Sequence, residues 1–363
     1  MNCPLCKKDD LELLYEVHDV SVFQNKVYDS VESAQKAQTE NISLMLCRIC
    51  GFIFNLHFNA SVMNYDKHYQ NEQAYSSCFQ KYLVSISSLL KSRDFEGKKV
   101  IEIGCGKGYF LEKLRENGFN ITGFDPAYEG DNPAIVKDYF TKTEVPLHAD
   151  LIILRHILEH IQTPVDFLHA VAEACGYKGK IFIEVPDFNW IIRNKSFWDI
   201  FYEYCNYFTF ESLGSLFKNP EQDSLFNGQY MYLLADLDGL QMDARPTQLD
   251  CTHHGNIFQT QLEKYRIFVK DRQELLIWGA GAKGVTFVNL VDPDREYISF
   301  LVDINPQKQN KYIAKTAHKI IAPGVLSNLQ GRDIVVMNDN YLGEIKKDLE
   351  KMDFNVYTLG ENI

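Results

Sequence analysis

The sequence predicts an α/β protein built on doubly wound, largely parallel sheets. An apolar strand at 100–103 opens into a glycine-rich turn, a helical stretch runs from Tyr109 to Glu116, and the next apolar strand ends at Asp125. A similar order occurs near the C-terminus, where one strand precedes Gly279 and another ends at Asp303. Strand, glycine turn, helix and strand in this order are typical of nucleotide-binding βαβ units.

Chain length and composition set the domain organisation. The 363 residues are too many for one ordinary core, and 45% apolar with 24% charged residues is typical of a globular protein. We expect three domains, with boundaries at 1–70, 71–265 and 266–363. The first is a small zinc-binding domain, the second holds the main sheet, and the third is Rossmann-like.

Charge and cysteine usage limit the partners and the compartment. The net charge of −12 argues against nucleic acid, which requires a basic surface. The sequence shows neither an apolar run long enough for a membrane span nor a secretion signal, so no membrane partner is expected. Nine cysteines without a secretion signal predict reduced thiols or metal ligands in the cytoplasm. A monomer acting on a small molecule is favoured.

The first glycine turn favours a particular cofactor. Its glycines allow the backbone to approach a ligand, and an acid at the end of the following strand accepts the hydroxyls of a ribose. The spacing is Gly-x-Gly-x-Gly, whereas nicotinamide enzymes use Gly-x-Gly-x-x-Gly to hold a pyrophosphate. S-adenosylmethionine (SAM) has no pyrophosphate, so we predict a class I SAM methyltransferase fold. The alternative is an ordinary glycine-rich turn. The predicted SAM-binding residues are Glu102, Gly104, Gly106, Gly108 and Asp125.

Two Cys-x-x-Cys pairs near the N-terminus predict a metal site. They are Cys3 with Cys6, and Cys47 with Cys50. Four thiolates complete a closed tetrahedral zinc site with no position left for water, which indicates a structural rather than a catalytic zinc. The long segment between the pairs has to fold back as its own strands. Fortuitous cysteines, a redox pair and an iron–sulfur centre are the weaker alternatives.

Candidate acid–base residues follow the strand that ends near residue 154. Arg155, His156, Glu159 and His160 come directly after it, at the end of a parallel strand where ligands bind. Histidine is a candidate proton acceptor because its ordinary pKa is near neutrality. A helix-capping or buried structural histidine is the alternative for His160.

An aromatic segment at 197–210 is either a site wall or plain core. Its density of aromatic rings is typical of a core, but Glu203 within it needs a partner if it is buried. An aromatic wall with one carboxylate would also suit a sugar ring.

The C-terminal glycine turn creates the main competing hypothesis. Gly279, Gly281 and Gly284 form a Gly-x-Gly-x-x-Gly motif after a strand, which taken alone indicates a nicotinamide or flavin oxidoreductase. The remaining chain is too short for two full mononucleotide-binding halves. We therefore favour a nucleotide or diphosphate contact, or a purely structural lid.

Taken in order, these motifs give the chain a family resemblance. It resembles, over essentially its whole length, the three-domain C-methyltransferases that act on nucleotide-linked keto-deoxysugars. Besides the paired cysteines, the resemblance is carried by the segments 69–77, 155–160, 203–209, 278–284, 303–308 and 343–345.

The resemblance implies methyl transfer from SAM to a sugar carbon beside a keto group, after a base removes the acidic hydrogen. Family members carry a histidine after the glutamate of the aromatic segment, where this chain has Tyr204. A tyrosinate at neutral pH costs roughly 4 kcal/mol. Three outcomes remain open. His160 takes the proton, Tyr204 acts through a shifted pKa, or the acceptor is not an enolisable ketone and the reaction is O-methylation.

We predict that His160 is the general base, that Glu203 orients His160 or the substrate, and that Tyr204 is a hydrogen-bond donor. The acceptor, a nucleotide sugar or another phosphorylated carbohydrate, is expected between the second and third domains. The segment at 250–255 also departs from the family, and its His253 and His254 are candidate site residues or exposed bystanders. An NAD-dependent oxidoreductase and an inactive binding homologue stay as alternatives.

Overall fold

The computed structural model describes residues 2–66, 68–140, 148–242, 244, 256–329 and 331–360. Within these residues the strands form three sheets. Numbered along the chain, the strands are β1 (Leu11–Ser21), β2 (Val27–Tyr28), β3 (Thr39–Cys47), β4 (Ile53–Asn55), β5 (Lys99–Ile103), β6 (Asn120–Phe124), β7 (Ile135–Val136), β8 (Leu151–Arg155), β9 (Lys180–Pro186), β10 (Asn206–Tyr207), β11 (Glu221–Leu225), β12 (Tyr230–Asp236), β13 (Leu275–Trp278), β14 (Ile298–Val302), β15 (Tyr312–Ile313), β16 (Lys319–Ile321), β17 (Arg332–Val336) and β18 (Phe354–Thr358).

The α-helices of the described chain are numbered in the same way. They are α1 (Val31–Gln35), α2 (Ser77–Ser92), α3 (Tyr109–Glu116), α4 (Pro164–Ala174), α5 (Phe188–Arg193), α6 (Phe210–Gly214), α7 (Ile257–Lys270), α8 (Ala282–Val291) and α9 (Leu342–Leu349). In the described part of the chain, none of the helices has both the length and the apolar character needed to cross a membrane.

The central sheet has the order β11-β12-β9-β8-β5-β6-β7. Strands β5 to β9 run parallel, and β12 pairs antiparallel with both β9 and β11. The middle strands are apolar because helices cover both faces, and the first four residues of β8 are buried. The carboxyl ends of β5, β6, β8 and β9 therefore meet at one edge, where ligands of such sheets bind.

The N-terminal sheet has the order β1-β3-β4-β10. Its long antiparallel pair β1 and β3 lies between the two cysteine pairs, so the predicted fold-back of this segment into strands is confirmed. Its last strand comes from elsewhere in the sequence. β10, in the aromatic segment, pairs with β4.

The C-terminal sheet has the order β18-β17-β13-β14-β16-β15-β2. Strands β13, β14, β16, β17 and β18 are parallel, as a Rossmann-like unit requires. The short β15 extends this sheet antiparallel, and β2 from the N-terminal part of the chain completes its edge.

The three sheets share strands and core across the predicted domain boundaries. One apolar cluster contains Val22, Phe197 and Phe287, one residue from each predicted domain. Helix α7 also runs through the predicted boundary at 265/266. The division at 70 and 265 therefore remains a prediction. Sequence periodicity did not indicate that β2 joins the C-terminal sheet or that β10 joins the N-terminal sheet.

Candidate active site

The first glycine loop joins β5 to α3 at the carboxyl edge of the central sheet. Gly104, Gly106 and Gly108 all have left-handed backbone angles, with φ of 72°, 54° and 82°. At Gly104 an added Cβ would lie 2.1 Å from the Cδ1 atom of Ile157. Both the backbone angle and the close approach therefore require glycine at position 104.

Two carboxylates flank this loop. Asp125 follows β6 and accepts hydrogen bonds from the N–H of Gly106 (2.7 Å) and of Ala127 (2.9 Å). Glu102, on β5, is buried, and its Oε2 atom has no hydrogen-bond partner among the described residues. Burial, together with the nearby Glu184 and Asp125 carboxylates, raises the pKa of Glu102 to about 7 despite the opposing effect of Arg155. A buried carboxylate oxygen without a donor fits a ligand that brings an ammonium group.

A cavity of about 340 Å³ lies between the central and C-terminal sheets. The predicted catalytic residues line it, and the five predicted SAM residues do not. The loop after β8 contacts both the first glycine loop and the cavity. Its Ile157 packs on Gly104, and the neighbouring His156 lines the cavity. Other residues that line the cavity are Gln24, Asn25, Tyr69, Tyr230, Gly279, Gly281, Gly284, Asp303 and Lys308.

The ring orientation of His160 is fixed by one hydrogen bond. Its Nδ1 atom lies 2.8 Å from the backbone carbonyl oxygen of Glu203. A carbonyl oxygen only accepts, so Nδ1 carries a proton, and Nε2 is the ring nitrogen that can accept one from a substrate. The ring packs edge-on against Tyr204, with 5.1 Å between the ring centroids. His160 therefore has the tautomer that a general base needs.

The neighbouring His156 differs from His160 because both of its ring nitrogens face carboxylates. Its Nε2 atom lies 2.9 Å from Glu184 Oε1, and its Nδ1 atom lies 3.3 Å from Glu159 Oε1. Although burial disfavours the cation, the Glu184 and Glu159 carboxylates raise the pKa of His156 to about 9. His156 is protonated at neutral pH and cannot accept a proton there. Arg155 lies beneath it and pairs with the same Glu184 at 2.6 Å.

The side chain of Glu203 is held by two donors. Its Oε1 accepts from the backbone N–H of Gln24 (2.9 Å), and its Oε2 accepts from the hydroxyl of Tyr69 (2.7 Å). Burial raises the pKa of Glu203, while the Tyr69 hydrogen bond and nearby His160 oppose this. The contact with His160 is made by the backbone carbonyl of Glu203, and not by its carboxylate.

Tyr204 is a phenol at neutral pH. Burial, and then the Glu159 carboxylate, raise its pKa well above the ordinary value. A phenolate base at this position is therefore disfavoured, and the hydroxyl is available as a donor. Of the aromatic segment, Phe201, Glu203 and Tyr204 line the cavity, whereas Phe197 and Trp198 belong to the core. The aromatic segment thus contributes both to the cavity wall and to the apolar core.

The second glycine loop forms the opposite wall of the cavity. Asp303, after β14, accepts a hydrogen bond from the N–H of Ala280 at 2.9 Å. An added Cβ at Gly284 would lie 1.8 Å from the carbonyl oxygen of Gly279, so glycine here allows α8 to pack on the loop. At the first turn of α8, the ammonium of Lys283 pairs with Asp199 at 2.9 Å.

Sequence reasoning missed several residues of this site. Glu184 could have been found as the one acid inside the apolar strand β9. Lys308 lay in a segment already singled out, but nothing marked it as buried in a cavity wall. Gln24 carried no signal, because its contact with Glu203 spans 179 residues. His253 and His254 lie outside the described residues.

The four predicted metal ligands form a cluster. Their sulfur atoms all lie within 4.8 Å of one another, and all four residues are buried. The Sγ atoms of Cys3 and Cys50 are 3.6 Å apart, and those of Cys6 and Cys47 are 3.5 Å apart. Sulfurs about 2.3 Å from a tetrahedral zinc are about 3.8 Å from each other, so the donor set and its size are compatible with zinc.

Two family models match this chain. The model described as "Methyltransferase domain" covers residues 67–220, which contain the first glycine loop, His160 and Glu203. Residues 67–220 are therefore similar to a methyltransferase domain. The model described as "C-methyltransferase C-terminal domain" covers residues 256–355, which contain the second glycine loop. Together with the strand order of the central sheet, these matches confirm the predicted class I SAM methyltransferase fold.

Curated relatives match part of this chain. The ubiquinone biosynthesis O-methyltransferase of Hydrogenovibrio crunogenus is 27% identical in an alignment of 119 residues that covers 29% of this chain and 49% of that protein. The enzyme of the same name from Photorhabdus laumondii is 29% identical over 127 residues, 30% of this chain and 50% of that protein. The chain thus spans about half the length of the curated relatives that it matches.

Solved structures show the same partial likeness. A SAM-dependent methyltransferase from Archaeoglobus fulgidus is 18% identical with a TM-score of 0.33, covering 43% of this chain and 96% of that one. The 1,6-didemethyltoxoflavin-N1-methyltransferase of Burkholderia thailandensis, bound to its substrate and S-adenosylhomocysteine, is 14% identical with a TM-score of 0.31 and covers 44% and 80%. With scores this low, the fold assignment depends on the family models and the strand order.

Proposed function

We propose that the protein uses SAM to methylate a carbon atom of a nucleotide-activated keto-sugar. The observation that carries this proposal is the pairing of His160, in the tautomer of a base, with a cavity beside the SAM-type glycine loop. The C-methyltransferase C-terminal domain model supports carbon as the acceptor atom.

The cofactor site in this proposal consists of Glu102, the first glycine loop and Asp125. The loop glycines give the cofactor close access to the backbone, and Asp125 is placed to accept the ribose hydroxyls. The free oxygen of Glu102 is the partner for the amino group. SAM, when bound, supplies an electrophilic methyl group.

His160 takes the acidic hydrogen beside the substrate carbonyl through Nε2. Its Nδ1–H remains bonded to the Glu203 carbonyl, which keeps the ring fixed and stabilises the imidazolium that forms. Tyr204 stays protonated beside the ring and donates a hydrogen bond to the substrate oxygen. Holding the acceptor in the cavity within reach of a methyl donor at the neighbouring glycine loop would supply much of the rate.

O-methylation of a phosphorylated carbohydrate is the second candidate. It is favoured by the curated relatives, which are named O-methyltransferases. His160 serves both reactions, because it can take a proton from a hydroxyl as well as from carbon. The two functions differ in whether the enzyme exchanges a carbon-bound hydrogen of the substrate.

Solvent deuterium exchange into nucleotide-linked keto-deoxysugars, with SAM omitted, tests the proposal. We expect wild-type protein to incorporate deuterium beside the carbonyl, and His160→Ala to lower that rate about 100-fold or more while SAM affinity is unchanged. His169→Ala is the control, because His169 lies on α4 and bonds the Gln241 carbonyl. Unchanged exchange in His160→Ala would move the base elsewhere. Absence of exchange with every candidate would favour an oxygen acceptor.

We also propose that Cys3, Cys6, Cys47 and Cys50 hold a structural zinc ion. Metal binding would link Cys3 and Cys6 to Cys47 and Cys50, which are 41 to 47 residues away in the sequence, and so would stabilise this part of the fold. Cys47→Ser and Cys50→Ser are expected to give poorly folding, zinc-depleted protein by elemental analysis and thermal melts. Cys175→Ser, at a buried cysteine outside the cluster, is the control. Full stability of the Cys47 and Cys50 variants without metal would contradict the zinc proposal.

A further inference from the structure

The N-terminal part of the chain contributes a loop to the cavity wall. Gln24 and Asn25, between β1 and β2, both line the cavity. The backbone N–H of Gln24 donates to the Glu203 carboxylate, and the backbone carbonyl of Glu203 in turn holds His160. This loop is therefore anchored directly beside the proposed base.

The side chain of Gln24 has one unsatisfied end. Its Nε2 donates to the backbone carbonyl of Ser21 at 2.7 Å, and this bond fixes the amide orientation because a carbonyl only accepts. Its Oε1 atom is buried and has no hydrogen-bond partner among the described residues, and the residue is only 2% exposed. A buried acceptor in a cavity wall that is left without a donor costs free energy, which a ligand donor recovers.

Lys308 offers the complementary group beside the same loop. Its Nζ donates to the carbonyl of Ala280 (2.8 Å) and to Asn25 Oδ1 (3.1 Å). An ammonium has three N–H groups, so one remains for a ligand. Lys308 is 3% exposed, and within the described chain no carboxylate oxygen lies within ion-pair distance of its Nζ. Asp303 and Glu203 act on it only from farther away.

We propose that Gln24 and Lys308 are specificity-determining residues that recognise a hydroxyl or amino donor of the acceptor together with a neighbouring oxygen. Gln24 Oε1 accepts from the donor, and the Lys308 ammonium donates to the oxygen. A sugar ring carries this pattern on adjacent carbons, whereas a flat acceptor without a donor leaves Gln24 unpaired. The inference rests on the proposed function and deepens it by naming which side chains select a carbohydrate.

Isothermal titration of UDP-glucose, GDP-mannose and dTDP-glucose into protein saturated with S-adenosylhomocysteine tests this assignment. We expect wild-type protein to bind at least one of them, and Gln24→Met and Lys308→Met each to weaken that binding about tenfold or more. Gln261→Met, at a buried glutamine outside the cavity, should bind like wild type.

Titration of S-adenosylhomocysteine alone into each protein distinguishes a failure of the roles assigned to Gln24 and Lys308 from a failure of the proposed function. Normal binding shows that a variant is folded with an intact cofactor site. Equal sugar-nucleotide affinity in Gln24→Met and wild type would overturn the role of Gln24. Binding of S-adenosylhomocysteine by wild type without binding of any of the three sugar nucleotides would overturn carbohydrate selection. Failure of wild type to bind S-adenosylhomocysteine would remove the proposed function itself.

Discussion

The two glycine loops have related sequences and the same position in their sheets. Each follows a central strand of a parallel sheet and leads into a helix. In each, the acid at the end of the next strand accepts a hydrogen bond from a loop amide, Asp125 from Gly106 and Asp303 from Ala280. The shared geometry explains why either loop, seen alone in the sequence, indicates a nucleotide site.

The surroundings of the two loops differ. Two residues before its first glycine, the central loop has the buried acid Glu102, whereas the C-terminal loop has Ile277. The start of α8 is further occupied by the ion pair of Lys283 with Asp199. We therefore expect the residue in the strand and the charge at the helix start to decide what each loop binds. Cofactor is expected at the central loop and acceptor beside the C-terminal loop.

The largest effect is expected from placing the same side chain in each loop. Gly104→Ala puts a methyl group against Ile157 at a left-handed backbone position and should weaken S-adenosylhomocysteine binding on the order of 100-fold. Gly281 has φ of −86°, and a Cβ added there would meet no atom closer than 3.9 Å, so Gly281→Ala should leave cofactor affinity unchanged. Calorimetric titration with thermal melts checks both variants. Equal losses in both would remove the distinction between the loops.

An intermediate effect is expected from the two strand-end acids. Asp125→Asn removes the charge that strengthens hydrogen bonds to ribose hydroxyls, and should weaken S-adenosylhomocysteine binding about tenfold. Asp303→Asn should leave that affinity unchanged, because Asp303 faces the acceptor cavity. The same titration measures both. A loss confined to Asp303→Asn would place the cofactor at the C-terminal loop.

The smallest effect is a pH dependence that only the central loop can produce. The pKa of Glu102 is raised to about 7, so this carboxyl is mostly protonated at pH 5.5 and becomes charged as the pH rises through 7. A ligand ammonium requires the charged form, so S-adenosylhomocysteine affinity should rise several-fold from pH 5.5 to 7. Glu102→Gln should flatten this rise. A wild-type affinity that is independent of pH would contradict a contact between the Glu102 carboxylate and the cofactor.

Local features of the fold were predictable from the sequence. The helix predicted from Tyr109 to Glu116 coincides with α3, because its limits are set by the glycine turn and by neighbouring residues. The C-terminal ends of strands β5, β6, β8, β13 and β14 were predicted to within one residue for the same reason. The cysteine cluster was predictable because the chemistry of four thiolates is independent of the fold around it.

Long-range pairings were not predictable. β2 and β10 each join a sheet that is distant in sequence, and two-residue strands carry no periodicity. The acid Glu203 was identified, but its partners Gln24 and Tyr69 lie more than 130 residues away. The different characters of the two histidines depend on their partners. His156 pairs with Glu184, and His160 bonds a backbone carbonyl, and the sequence motif shows neither contact.

Calorimetric titration of wild-type protein with S-adenosylhomocysteine and, separately, with NAD⁺ shows which cofactor the protein binds. We expect saturable heat with S-adenosylhomocysteine at one site per chain and none with NAD⁺. Tight binding of NAD⁺ without any heat from S-adenosylhomocysteine would contradict it, because the C-terminal loop would then be the cofactor site.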